Sequence, residues 1–178
     1  MDLALLVLRA VLGTFLAAHG AQKLFAWLGG PGLRRTSEWL GSVGFSPSTV
    51  WAVLAGTLEL CGGVLFALGL LCPLGSLGIG ASMSTAIAKI HRPRVWATDG
   101  GFELPLKNLA VVLAVDISGP GAFSLDHVLR LGLPANAAIF GAAAVTCGWV
   151  LALISSTLAV ASSDSVVSIS AGGRFGES

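Results

Sequence analysis

Arg9, His19 and Lys23 punctuate the apolar run "LRAVLGTFLAAHGAQKLF", Glu59 stands alone in "GTLELCGG", and Glu103 and Lys107 open "ELPLKNLAVVLAV". Acids and bases of these kinds can move protons, anchor a polar headgroup or compensate one another's charge. Inside hydrocarbon each is costly. A lysine or arginine near a bilayer centre costs about 2.5 to 3.5 kcal/mol on insertion scales, so it is expected to face a bundle interior or a wet cavity. At about 100° per residue, Arg9, Leu12, Leu16, His19 and Lys23 fall within one arc of roughly 80°, so the charges of this segment share a face. Lys23 has an alternative, since close to a helix end its aliphatic stem would carry the ammonium out to the headgroups.

Depth adds a second constraint. His19 and Lys23 lie near the end of the first apolar run and Glu59 about nine residues into the next. A hairpin therefore brings them to one level and makes Glu59 a natural partner for the basic face. Two readings of Glu59 stand side by side: a static ion pair with Lys23 or Lys107 that pins helix register, or a proton-handling or ligand-anchoring carboxylate beside His19. Lys89 and His91 end a later run, and Glu103 and Lys107 follow at the i,i+4 spacing that sets them side by side. At the opposite leaflet Arg9 and Asp116 are expected to form a second, structural pair.

Other chemistry finds little support in the residues. His19, Glu59, His91 and Glu103 contain no local ligand spacing such as HxxxH, and the nearby lysines would compete with a cation, so no metal site is expected. Cys61, Cys72 and Cys147 are isolated in apolar sequence and read as packing residues, and His127 reads as a surface residue. There is no glycine-rich nucleotide loop, nucleophile elbow or haem-attachment motif, and a net charge of +1 offers nothing to a nucleic acid.

The elements that must position these groups follow from composition. Of the 178 residues 54% are hydrophobic and 11% charged, and the mean hydropathy is +0.86, well beyond a soluble domain. Apolar runs at 3–28, 50–71, 74–90, 102–117 and 136–161 are expected to be membrane-spanning helices, the fourth shielded by its neighbours because it carries Glu103, Lys107, Asn108 and Asp116. The first resembles a signal peptide near "AAHGA", but Asp2 and Arg9 favour its retention as a span. Residues 29–47 read as a polar connection, with Pro47 and Ser48 starting the second span. Ser76, Gly80, Ser84 and Ala88 recur every fourth residue in the third span, as expected of a close helix interface. "GPGAFSLDHVL" reads as a turn leading into a short surface helix capped by Ser124 or Asp126, and 162–178 as a disordered polar tail. Arg34, Arg35, Arg92, Arg94 and Arg174 place the C-terminus inside, with Trp27, Trp39, Trp51 and Trp96 as an interfacial belt on that same side.

"LRAVLGTFLAAHGAQKLF", "GTLELCGGVLFALGL", "GFELPLKNLAVVLAV" and "GPGAFSLDHVL" together resemble the DoxX family of small bacterial and archaeal membrane proteins, over roughly residues 3–131. Arg9, His19, Gly20, Lys23, Glu59, Gly62, Gly63, Glu103, Ser124, Leu125 and Asp126 fall on the family's motif positions. The resemblance implies an all-α, polytopic transmembrane bundle: a four-helix core at 1–131, an additional helix at 132–161 that departs from the family, and the tail. It also implies a multi-pass protein of the plasma or inner membrane, linked to a redox system with quinone as the candidate cofactor and a redox protein as partner. The expected pocket is formed by His19, Lys23, Glu59 and Glu103, with His19 and Lys23 donating to a quinone headgroup and Glu59 exchanging the coupled proton. A small-solute or proton transporter and a non-catalytic scaffold remain the alternatives, and a homo-oligomer stays open.

Overall fold

The computed structural model describes residues 1–91 and 93–131, and every element among them is helical. The span expected at 136–161, the tail at 162–178, Cys147, Arg92 and Arg174 lie outside the described residues. Helix α1 runs Asp2–Phe25, α2 Gly32–Ser42, α3 Ser48–Leu68, α4 Cys72–Thr85, α5 Glu103–Ser118 and α6 Leu125–Val128. α4 continues into a wider π-helical turn at Ala86–His91.

Each boundary has a local cause. α1 stops where Ala26 enters the left-handed region at φ 59°, and a short 3-10 turn at Trp27–Gly29 redirects the chain. α3 begins directly after Pro47 and ends at Gly69, whose φ of 61° lets its N–H reach back to the carbonyls of Leu65 and Phe66. α4 has Pro73 in its first turn, where a missing N–H costs nothing.

The polar connection expected at 29–47 contains a helix instead. In α2, Thr36, Ser37 and Leu40 are buried while Arg34, Arg35 and Glu38 face outward, so it is amphipathic at the 3.6-residue period. Ser37 Oγ lies 3.0 Å from both Ser48 Oγ and Thr49 Oγ1, which ties α2 to the start of α3.

α1 packs chiefly on α3, α3 also on α2 and α4, and α5 on α4. The closest α1–α3 contacts are made by backbone at glycines, with the Leu24 side chain seated on Gly56. A Cβ on Gly63 would stand 2.5 Å from Ala17 N and 2.6 Å from Gly13 O, and one on Gly13 would meet Gly63 O at 2.5 Å. Small residues at these positions let two helices approach as membrane helices do, gaining dispersion contacts where lipid supplies no hydrophobic drive. On α4, Gly75 and Gly78 touch α3, with Cβ positions 3.0 Å from Gly62 O and 3.1 Å from Leu58 O. The expected stripe of Ser76 and Gly80 lies on another face of α4, toward α5: Ser76 Oγ donates to Asp116 Oδ1 at 2.6 Å, and a Cβ on Gly80 would meet Leu109 Cδ2 at 4.0 Å.

Leu5, Leu16, Phe66, Cys72, Ile79, Met83, Val112 and Val115 form the core. Outside it, α1 exposes Leu3, Val7, Val11 and Phe15, and α5 exposes Leu104, Leu106, Leu113 and Ile117. α1 and α3 are long and apolar enough to cross a membrane, yet only 28% and 33% of their most apolar windows are buried. Apolar helices that turn most of their surface outward suit lipid and would be a liability in water.

Candidate functional site

Lys23, in the last turn of α1, and Glu59, in the middle of α3, meet at the end of the glycine seam. Lys23 Nζ donates to Glu59 Oε1 at 2.6 Å, and Ser82 Oγ of α4 donates to the same oxygen at 2.7 Å. The Glu59 side chain is 5% exposed and that of Lys23 29%. Glu59 Oε2 is buried and has no hydrogen-bond partner among the described residues.

This triad forms the polar base of a cavity of about 50 Å3 whose walls are otherwise largely apolar: Leu40 and Trp39 from α2, Phe45 beyond it, Trp51 and Leu58 from α3. Thr85, Ala86 and Ile90 close the far side, where α4 widens into the π-helical turn. Such turns recur at functional sites because the extra residue re-aims the side chains around it. Phe45 and Trp51 pack at a ring-centroid distance of 5.3 Å, so the rim is preassembled. A few polar groups among largely apolar and aromatic walls are the general form of a small-molecule site.

His19 is exposed and its Nδ1 lies 3.2 Å from Gln22 Oε1 of its own helix, so it is not part of this cavity. The reason is the glycine seam. Leu5, Arg9, Gly13, Leu16 and Gly20 are buried, and their mean direction on the helix wheel lies roughly 80° from His19 and roughly 40° from Lys23. Close approach at Gly13 and Gly20 turns the buried face away from the imidazole. Glu103 is likewise elsewhere: it forms an ion pair with Lys107 four residues on, and its Oε2 accepts from Ala97 N–H at 3.1 Å. Of the two lysines open to Glu59, Lys23 is the partner and Lys107 is not. The two hairpins therefore differ, one pairing charge between helices and the other within a single helix. His91 Nδ1 lies 2.6 Å from Gly100 O.

The second expected pair, Arg9 with Asp116, is replaced by two separate arrangements. Arg9 is fully buried and its Nη2 donates to Phe123 O at 3.2 Å, while Nε and Nη1 have no partner among the described residues. Asp116 belongs to α5, which packs mainly on α4 and only slightly on α1, and it accepts from Ser76 instead. The turn carrying Ser124 and Asp126 clamps this end of the bundle. Ser124 Oγ caps α6 by accepting from His127 N–H at 3.1 Å. Asp126 caps α4, its two oxygens accepting from Leu71 N–H at 2.7 Å and Cys72 N–H at 2.9 Å. Asp2 accepts from Ala122 N–H at 3.0 Å, tying the same turn to the start of α1. Gly69 fits between them because a Cβ there would collide with Arg9 Nη1 and stand 2.6 Å from Ser124 Cβ. Gly20 and Gly63 serve the α1–α3 seam and Gly62 the α3–α4 contact.

Core residues Leu16, Phe66, Ile79 and Val112 occupy the levels between Lys23–Glu59–Ser82 at one end and Arg9, Ser76 and Asp116 at the other. Cys72 is buried in this core whereas Cys61 faces outward, and neither is in a disulfide. Among the described residues no three histidine, cysteine, aspartate or glutamate side chains gather as a metal site.

Ser82 and the Trp39–Phe45–Trp51 rim were not singled out as site residues from the sequence. Ser82 was legible by depth, since it precedes the end of the third apolar run by about as much as Glu59 follows the start of the second. The rim depended on α2, which reads as a connection until its 36, 37 and 40 spacing is noticed.

Apolar helices sealed by backbone contact, an outward apolar surface and a sequestered lysine–glutamate pair define a helical membrane protein. The DoxX family model matches residues 4–92, from the first turn of α1 to the end of the π-helical turn, and the chain belongs to the DoxX family. No curated protein and no solved structure matches it.

Proposed function

We infer that this protein is a multi-pass component of a redox system in the cell membrane, and that it receives the headgroup of a quinone-type lipid in the cavity of Lys23, Glu59 and Ser82. The observation that carries this reading is the cavity's division of labour. Its base offers an ammonium and a carboxylate whose second oxygen has no partner among the described residues, and its rim offers three aromatic rings. In an enclosed apolar cavity about 150 Å3 holds a benzene. The 50 Å3 available takes the polar edge of a ring and leaves the rest against Trp39 and Trp51. A lipophilic tail then leaves toward the bilayer. Electrons reach or leave the ring through a protein partner that carries its own redox centre. The helices beyond α1 and α3, with the run at 136–161, complete a four-plus-one bundle in this reading.

The test uses the protein purified from membranes into nanodiscs. A decyl-substituted benzoquinone is expected to quench tryptophan fluorescence saturably, and Ala86→Leu, which fills the cavity, is expected to abolish saturation while the helical signal persists. An organic extract free of quinone, together with quenching that never saturates, refutes the reading. The transporter alternative requires a polar route through the layer of Leu16, Phe66, Ile79 and Val112, and solute flux in proteoliposomes would establish it. A scaffold would show Glu59→Gln altering complex recovery while probe affinity stays constant.

A further inference from the structure

We propose that the cavity is selective for a hydroxyl-bearing aromatic ligand, binding the reduced, quinol form of its occupant more tightly than the quinone. This rests on the ring-binding reading given above and adds the chemical form that is bound.

The inference comes from counting donors and acceptors at the base. Lys23 Nζ and Ser82 Oγ both donate to Glu59 Oε1, at 2.6 and 2.7 Å. An ammonium and a hydroxyl both donate to one oxygen, so Glu59 acts there as an acceptor, the only role open to a carboxylate. Glu59 lines the cavity and its Oε2 is buried without a partner among the described residues, so the unmet hydrogen-bonding capacity of this side chain is that of an acceptor. A ligand hydroxyl satisfies it by donating to Oε2, and the same oxygen can accept from Lys23, which has donors beyond the one directed at Glu59.

A quinone carbonyl cannot do this. It accepts from Lys23 but brings lone pairs toward Oε2, which remains unsatisfied and is repelled. Leaving a buried acceptor unpaired is more costly than the mean value of a hydrogen bond suggests, and bonds to charged groups lie at the strong end of the range. The expected discrimination is on the order of tenfold to a hundredfold in Kd. Because the reduced form is held more tightly, each tenfold of preference raises the midpoint potential of the bound two-electron couple by about 30 mV.

The experiment measures Kd by tryptophan quenching in nanodiscs, under argon, for decyl-benzoquinone, decyl-hydroquinone, and the redox-inert pair of a 4-alkylphenol and its methyl ether. The quinone lacks the donor without added bulk, which separates hydrogen bonding from size. The expected result is hydroquinone tighter than quinone, phenol tighter than ether, and both preferences reduced to about one in Glu59→Gln, whose amide can donate as well as accept. Saturable binding of either probe by Glu59→Gln shows that the variant is folded. Equal affinities for the two members of each pair, or a quinone preference, overturn the inference while leaving the cavity as a ring site. Absence of saturable binding by all four probes overturns both.

Discussion

Removing the lysine of the Lys23–Glu59 pair should cost the fold more than removing the glutamate, although each change deletes the same contact. Lys23→Met leaves a carboxylate whose side chain is 5% exposed, with Ser82 as its remaining donor among the described residues. Removing one partner of a buried pair costs about 3 to 5 kcal/mol, because the other charge stays desolvated and uncompensated. Glu59→Gln leaves an amide that still accepts from Ser82, and an ammonium already 29% exposed that can extend toward headgroups. Screening and this escape reduce the cost to about 1 kcal/mol. The double variant Lys23→Met/Glu59→Gln buries no charge at all and should resemble the glutamate variant alone. That gives a coupling energy of about 3 to 5 kcal/mol between the two sites. The assay is reversible unfolding in mixed micelles, following helical signal for the wild type, both single variants and the double. Equal penalties for the two single variants, or an additive double, would refute the asymmetry and with it the burial of Glu59.

Two further outcomes follow from the packing. Gly63→Ala should destabilise by about 1 to 3 kcal/mol, since its Cβ would sit 2.5 Å from Ala17 N and the helices must separate, whereas Gly80→Ala, with its nearest contact at 4.0 Å, should be neutral or stabilising by up to about 1 kcal/mol; the same unfolding titration compares them. Asp126→Asn loses one of two carboxylate oxygens capping α4 and should cost about 1 to 2 kcal/mol, with faster maleimide labelling of the buried Cys72 in a Cys61→Ser/Cys147→Ser background.

The helical class, the apolar spans at α1 and α3, and the meeting of Lys23 with Glu59 were legible from periodicity and depth, because both depend on local spacing and on one hairpin. The angular placement of His19 was not. A wheel drawn through the charges centres the buried face on them, while the real face is centred on Gly13 and Gly20, residues whose packing value lies in having no side chain. The Arg9–Asp116 pairing failed for a related reason. Matching charges by depth assumes that all helices are equal neighbours, and α5 packs mainly on α4. Of the two caps open to the short helix, Ser124 is the one used, and Asp126 caps α4 instead, a contact across 55 residues that no local motif encodes. Of the small-residue stripe on the third run, Ser76 and Gly80 face α5 while Ala88 is exposed, and the tighter α1–α3 seam is spread over two segments with no single repeat.

The glycine seam also decides where the cavity can yield. Gly13, Gly20 and Gly63 put α1 and α3 in main-chain contact, so the two helices bearing Lys23 and Glu59 act as a fixed jaw. The facing jaw consists of α2, fastened through the hydroxyls of Thr36 and Ser37, and of the π-helical turn at Ala86–His91. A bulkier occupant would therefore be accommodated from one side, with the charge pair serving as a stationary anvil.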